Sequence, residues 1–177
     1  MKPPLAFRSD LARLLALLVA IAALTFSSRV EIPMQPVPFT LQTLAVILTG
    51  GLLGWRLGLL AVLVWLGLGA AGLPVFSGGS GGWEKFLGPT GGYLAGFPVA
   101  AAVMGWLAER GWNGRKPFHA FAGALIAHAA CLLPGVLWLS TFAGRSEAVR
   151  DGLLPFLPGA ILKSLAAVLV LMLFRRR

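Results

Sequence analysis

The sequence carries few charged residues for its length, and very few of them are acidic. Of 177 residues, 58% are hydrophobic and 12% are charged, and only six are Asp or Glu. A soluble domain carries about a quarter charged residues. Because these charges cannot coat a water-exposed surface, the composition excludes an ordinary soluble domain and indicates a protein embedded in the lipid bilayer.

The sequence also lacks several residue patterns that are typical of disulfides, metal sites and nucleotide hydrolysis. Cys131 is the only cysteine, so no internal disulfide is possible, and no Cys/His group has the spacing of a metal site. There is no G-x-x-x-x-G-K-[ST] phosphate loop, which excludes nucleotide hydrolysis by that device. The net charge of +9 is spread in short clusters between apolar runs, which argues against nucleic-acid binding. We therefore expect no catalytic residues, no metal and no cofactor.

Six apolar runs are suited to helices, and a spanning helix needs roughly 20 residues. The runs are Leu11–Phe26, Thr40–Leu53, Leu57–Ala71, Gly91–Leu107, Phe118–Phe142 and Phe156–Phe174. The first is rather long for the apolar part of a signal peptide. The second and third are short, and they predict a tight helical hairpin at Gly54–Arg56, with a re-entrant pair as the alternative. The sequence predicts an all-α membrane protein with six transmembrane helices in one domain, residues 1–177.

The basic residues lie mostly on one side of this predicted bundle. Ten Lys or Arg residues fall on the side of the two termini, four fall on the other side, and Lys163 lies inside a predicted helix. The ten are Lys2, Arg8, Arg13, Arg56, Arg110, Arg115, Lys116, Arg175, Arg176 and Arg177. Cytoplasmic loops carry such an excess, so both termini are predicted to be cytoplasmic.

The loops on the opposite side are long, and they are rich in proline in Glu31–Phe39 and in glycine in Gly72–Gly92. Irregular backbone near a membrane must be buried in protein or line a watery cavity. These loops therefore predict a ligand site that opens to the outside.

Lys163 is predicted to lie in the outer half of the last helix. A charge at mid-membrane costs about 2.5–3.5 kcal/mol, so it usually faces a cavity and has a partner. No acidic residue lies within any predicted helix. Lys163 therefore points to an anionic ligand, with snorkelling of the side chain to the interface as the alternative.

Other polar residues lie where the outer loops meet the helices. Gln42 and Thr43 could offer hydrogen bonds at the cavity mouth, while Thr40 could do the same or cap the helix. Tyr93 could stack on a ligand or sit at the membrane interface. Glycine lets backbone approach a ligand closely, so Gly79, Ser80 and Gly91 are added to the predicted ligand site, although such glycines could equally serve a flexible loop.

Small residues recur at four-residue spacing on the first helix, at Ala12, Ala16 and Ala20. This spacing lets another helix approach closely. It fits either internal packing or docking onto a separate partner protein.

Four motifs resemble the biotin transporter family BioY, in the right order from about residue 11 to the end. They are Ile32–Thr43, Gly67–Phe76, Gly88–Tyr93 and Leu154–Lys163. The resemblance implies the substrate-binding S component of an energy-coupling factor (ECF) transporter, which captures biotin outside a bacterial or archaeal plasma membrane. It also implies a scaffold membrane subunit that docks on Ala12, Ala16 and Ala20, and two ATPase subunits. The loop between the first two helices would act as a lid.

The resemblance also suggests roles within the site. Lys163 would pair with the valerate carboxylate of biotin, while Tyr93, Gln42 and the Gly78–Gly82 backbone would hold the ring system. The family motif usually has an aspartate where this chain has Ala160. That change removes an acceptor for a ureido N–H and leaves Lys163 less neutralised.

Two rival functions remain. The first is an S component for another vitamin, such as thiamine or riboflavin. The second is an intramembrane serine protease resembling the rhomboids, because Gly78-x-Ser80-Gly81 matches their G-x-S-G and His128 lies on a later helix. The protease needs contact between Ser80 and His128, which their different predicted depths disfavour.

Overall fold

The computed structural model describes residues 9–174, which are mostly helical. The elements in chain order are α1 (Asp10–Arg29), β1 (Glu31–Ile32), β2 (Phe39–Thr40), α2 (Gln42–Ala70), a 3-10 turn (Ser77–Gly79), α3 (Glu84–Leu87), α4 (Gly91–Glu109), α5 (Pro117–Ala143), α6 (Arg145–Gly152) and α7 (Phe156–Leu173). Five basic residues of the predicted charge bias lie outside the described residues: Lys2, Arg8, Arg175, Arg176 and Arg177.

Helix α1 shows how the sequence builds a membrane-facing helix. The Oγ of Ser9 accepts a hydrogen bond from the backbone N–H of Ala12 at 3.2 Å, which caps the first turn. Arg13 pairs with Asp10 at 2.9 Å beside this cap. Large apolar side chains beyond it are exposed, including Leu14 and Leu18. An exposed face of this kind suits contact with lipid tails.

The second and third predicted helices form one element, α2, which turns back on itself at Gly54. Gly54 has φ of +82°, a left-handed conformation that glycine adopts without steric cost. A Cβ added to Gly58 would lie 2.8 Å from the Cα of Gly50, so the two halves of α2 touch face to face. In a straight helix, eight residues would span about 12 Å. The turn therefore coincides with the predicted Gly54–Arg56 connection.

Small residues let α4 and α5 pack closely on this hairpin. A Cβ added to Gly50 would overlap the backbone oxygen of Ala101 on α4. A Cβ on Gly96 of α4 would lie 2.8 Å from the carbonyl oxygen of Cys131 on α5. Backbone contact of this kind is how membrane helices gain van der Waals energy without a hydrophobic driving force.

Part of the core lies where α2, α4 and the segment after α2 meet. Trp65 is fully buried and makes an edge-to-face contact with Phe76 at 5.1 Å, and a tilted contact with Phe97 at 6.0 Å. These contacts attach the segment after α2 to α4. Phe76 and Phe97 form part of one wall of the cavity described below.

Five helical segments within residues 9–174 are long and apolar enough to cross a membrane. They are Asp10–Arg29, Gln42–Ala70, Gly91–Glu109, Pro117–Ala143 and Arg145–Leu173. The predicted multi-pass helical membrane protein is therefore confirmed. The short pair β1–β2 and the helices α3 and α6 were not predicted.

Candidate ligand site

A cavity of about 750 Å³ opens between the α1–α2 connection, the glycine-rich segment after α2, and helices α4, α5 and α7. Its volume lies within the 300–1,000 Å³ typical of small-molecule sites. Five predicted site residues line it together: Thr40, Gln42, Ser80, Tyr93 and Lys163. Thr43, which the sequence also placed at a cavity mouth, lines it too.

Lys163 is buried in the cavity wall, with 7% of its surface exposed. Its Nζ donates to the carbonyl oxygen of Thr40 at 2.6 Å and to Oγ1 of Thr43 at 3.1 Å. Within residues 9–174 no acidic side chain forms an ion pair with Lys163. Neutral dipoles alone therefore compensate its charge, and burial rather than snorkelling describes its position.

Phe39 covers this lysine. The ring centroid lies 4.1 Å from Nζ, within the range of a cation–π contact. Phe39 also packs on Phe156 with centroids 5.7 Å apart, and a Cβ on Gly159 would overlap its ring. The α1–α2 connection is thus held against α7 by both an aromatic contact and the lysine.

Thr40 and Gln42 form one polar group. Oγ1 of Thr40 donates to Oε1 of Gln42 at 2.9 Å and accepts from the backbone N–H of Gln42 at 3.2 Å. The N-cap of α2 is Leu41, so the prediction that Thr40 caps the helix is wrong, although its hydroxyl accepts from the first N–H of α2. Thr40 lines the cavity, and its contact with a ligand stays a prediction. The amide Nε2 of Gln42 makes no hydrogen bond with any of the described residues.

Tyr93 contributes its ring rather than a free hydroxyl. Its hydroxyl donates to the carbonyl oxygen of Gly152 at 2.8 Å, and its ring stacks on Phe156 with centroids 6.0 Å apart. A buried aromatic surface is thereby presented to the cavity, while the hydroxyl links α4 to α6.

The Tyr93→Phe variant is expected to lose stability by about 1–2 kcal/mol, because it leaves the carbonyl of Gly152 without its donor. Affinity for biotin, the ligand that the resemblance implies, should change less than twofold, since the ring remains. Thermal unfolding in detergent and a biotin titration check both parts. A large loss of affinity at unchanged stability would show instead that the hydroxyl contacts ligand.

The glycine-rich segment is held by its own hydrogen bonds. Oγ of Ser80 donates to the carbonyl oxygen of Ser77 at 2.7 Å, and the N–H of Phe76 donates to the carbonyl oxygen of Ser80 at 2.9 Å. Gly78 and Ser80 line the cavity. These hydrogen bonds give the segment a defined turn, while contact of its backbone with a ligand stays a prediction.

Two predicted site residues lie behind the cavity wall. Gly79, with φ of +70°, packs against the guanidinium of Arg29. Gly91 lies against the backbone of Phe86, and a Cβ there would lie 3.1 Å from Nε1 of Trp138. Neither residue lines the cavity. Both support it through close packing, and ligand contact by Gly79 and Gly91 stays a prediction.

Among the lining or covering residues that the sequence reasoning did not single out are Glu31, Phe39 and Lys85. Glu31 and Phe39 lie in strands of only two residues, whose pairing brings them to the site. Lys85 precedes Phe86 in α3, which is too short for a periodic pattern to predict.

The rival protease assignment lacks its required contact. The ring nitrogen Nδ1 of His128 lies 3.1 Å from Oγ of Ser164 and 3.0 Å from the carbonyl oxygen of Ala124. Ser80 bonds instead within its own turn. In the part of the chain that the structure describes, no group of three His, Cys, Asp or Glu side chains could hold a metal ion.

Two of the three predicted docking alanines of α1 pack against α2. Ala20 is buried in a cluster with Leu53 and Ala61 of α2, and Ala16 packs against the same cluster. Ala12 is half-buried. Internal packing therefore accounts for Ala16 and Ala20, while partner docking by the three alanines stays a prediction.

Comparison with known proteins shows which family this chain belongs to. The model of the BioY family matches residues 2–177. A probable biotin transporter BioY of Pyrococcus horikoshii is 39% identical over 157 residues, which cover 89% of this chain and 91% of that protein. The biotin transporter BioY of Thermotoga maritima is 36% identical over 151 residues, which cover 84% and 87%.

A solved structure agrees with these relatives. The crystal structure of the S-component for biotin from an ECF-type ABC transporter matches with a TM-score of 0.87 and 26% identity. The match covers 98% of this chain and 95% of that chain. The resemblance drawn from the four motifs is therefore confirmed, and the chain belongs to the BioY family, whose members are transport components rather than enzymes.

Proposed function

We propose that this protein is the biotin-binding S component of an ECF transporter, which captures biotin from outside for import by partner subunits. The observation that carries the proposal is Lys163, a buried ammonium that lines a cavity and forms no ion pair with a described residue. The names of the relatives and of the solved structure supply the ligand.

The cavity suits a ligand with one anionic end and an apolar body. A carboxylate would give Lys163 the counter-charge that Thr40 and Thr43 supply only as dipoles. The rings of Tyr93 and Phe156 provide apolar surface, and Gln42 adds hydrogen-bonding capacity. Biotin has a valerate carboxylate, an apolar thiophane ring and a polar ureido group, so each part has a complementary region.

Calorimetric titration of the purified protein with biotin tests this function, with thiamine and riboflavin as controls. We expect one-to-one binding of biotin alone, because the apolar walls and the single buried ammonium match its shape and charge. Binding of thiamine or riboflavin in place of biotin would assign the protein to another vitamin. A folded sample that binds none of the three would contradict the proposal.

The proposed membrane arrangement has six spans, both termini in the cytoplasm, and a location in the plasma membrane of a bacterium or archaeon. The fold-back of α2 at Gly54 supports six spans, because each half then crosses separately. The charge excess beside Arg56 and Arg110 supports the orientation. In this orientation the cavity opens outward and Lys163 lies in the outer half of α7.

The proposed partners are a scaffold membrane subunit and two ATPase subunits. The lack of a phosphate loop supports this division of labour, because this chain has no such device to drive transport itself. The exposed apolar face of α1 and the half-buried Ala12 offer surface for a scaffold helix.

A further inference from the structure

The carboxylate of Glu31 has no hydrogen-bond or ion-pair partner among the described residues 9–174. Its Oε2 is fully buried without a hydrogen bond, and no hydrogen bond or ion pair within residues 9–174 involves this side chain. A buried acceptor left unsatisfied is energetically costly, and more so when it is charged. Such a group in a cavity wall indicates that something else supplies the donor.

Strand pairing places Glu31 within the ligand site. Glu31 is the register partner of Thr40 in the antiparallel pair β1–β2, so their side chains stand on the same face, with Cβ atoms about 4.5–5.5 Å apart. Thr40 bonds to Gln42 through its hydroxyl and to Lys163 through its carbonyl. All four residues line the same cavity.

The contacts of Glu31 with the described residues do not indicate a structural role for its side chain. A Cβ added at Gly78 would lie 3.7 Å from Oε1 of Glu31, which is an ordinary van der Waals distance. Arg29, two residues earlier, donates instead to the carbonyl oxygen of Pro74 at 2.6 Å. The carboxylate therefore fastens neither the α1–α2 connection nor the glycine-rich segment.

We propose that Glu31 is a specificity-determining residue that accepts an N–H from the bound ligand. This inference rests on the proposed function, under which the ligand is biotin and its N–H donors are those of the ureido group. The site then holds biotin at two ends, by Lys163 at the carboxylate and by Glu31 at the ureido ring. A ligand without an N–H would leave the carboxylate unpaired and be rejected.

The test compares wild type with Glu31→Ala and the near-isosteric Glu31→Gln. The matched control is Glu84→Gln, which alters an exposed carboxylate at the edge of the same cavity. Ligands are biotin and two analogues, each methylated at one ureido nitrogen. Thermal unfolding in the same detergent shows whether every variant is folded.

We expect Glu31→Ala to weaken biotin binding at least tenfold, and Glu31→Gln to weaken it less, while Glu84→Gln leaves it within twofold. One methylated analogue should bind wild type at least tenfold more weakly than biotin and be insensitive to the alanine substitution. Unchanged biotin affinity in folded Glu31→Ala, or an equal loss for biotin and both analogues, would overturn the assignment. Wild type that fails to bind biotin would instead refute the proposed function.

Discussion

Lys163→Ala should weaken biotin binding at least tenfold, which corresponds to about 1.4 kcal/mol. The ammonium is buried, and within residues 9–174 its partners are neutral: the carbonyl of Thr40, the hydroxyl of Thr43 and the ring of Phe39. A ligand carboxylate is therefore its strongest available partner, and its removal loses a charge-assisted hydrogen bond in a partly desolvated site. Calorimetric titration of the folded variant measures the loss.

Lys85 provides the matched control, because it is the other lysine that lines the cavity and it is only half-buried. Lys85→Ala should leave biotin affinity within threefold. Biotinamide, which lacks the charge, should bind wild type more weakly than biotin, and this preference should vanish in Lys163→Ala. A preference that survives there but vanishes in Lys85→Ala would reverse the proposed orientation of the ligand.

Gly50→Ala should destabilise the fold by about 1–3 kcal/mol, the usual cost of overpacking. A Cβ at Gly50 would overlap the backbone oxygen of Ala101, and backbone cannot rotate away as a side chain can. Helices α2 and α4 would have to separate. A lower midpoint of thermal unfolding in detergent is the expected result.

Gly67→Ala is the matched control in the second half of the same helix. Nothing lies within 4 Å of a Cβ at Gly67, and its backbone is helical. The substitution should raise stability by up to about 1 kcal/mol through helix propensity. Equal effects of the two substitutions would show that the contact between Gly50 and Ala101 does not limit the packing of α2 on α4.

The long helices could be predicted from the sequence, because a membrane-spanning helix requires a continuous apolar run of roughly 20 residues. The predicted run Phe118–Phe142 corresponds to Pro117–Ala143, and Gly91–Leu107 to Gly91–Glu109. The polar helix α6 and the pair β1–β2 were missed. Their few residues depend on contacts with distant parts of the chain rather than on local periodicity, as Tyr93 bonding to Gly152 illustrates.

Residues of the site could be predicted from the sequence where a polar or charged side chain interrupted an apolar helix or lay at its boundary with a loop. Lys163 stood out as a charge in an apolar helix, and Gln42 and Tyr93 stood out at loop boundaries. Glu31 carried no such mark, because an acid in a loop is ordinary. The sequence indicated a lost acceptor at Ala160, and only the pairing of Glu31 with Thr40 revealed another carboxylate facing the same space.

The contact between Phe39 and Lys163 has a kinetic consequence. The ring lies over the ammonium and fits closely against Gly159, where no Cβ stands in its way. A ligand arriving from that side must swing the ring aside, and a departing ligand must move it again. We expect such a barrier to slow entry and exit together, and a Phe39→Ala variant to change residence time more than equilibrium occupancy.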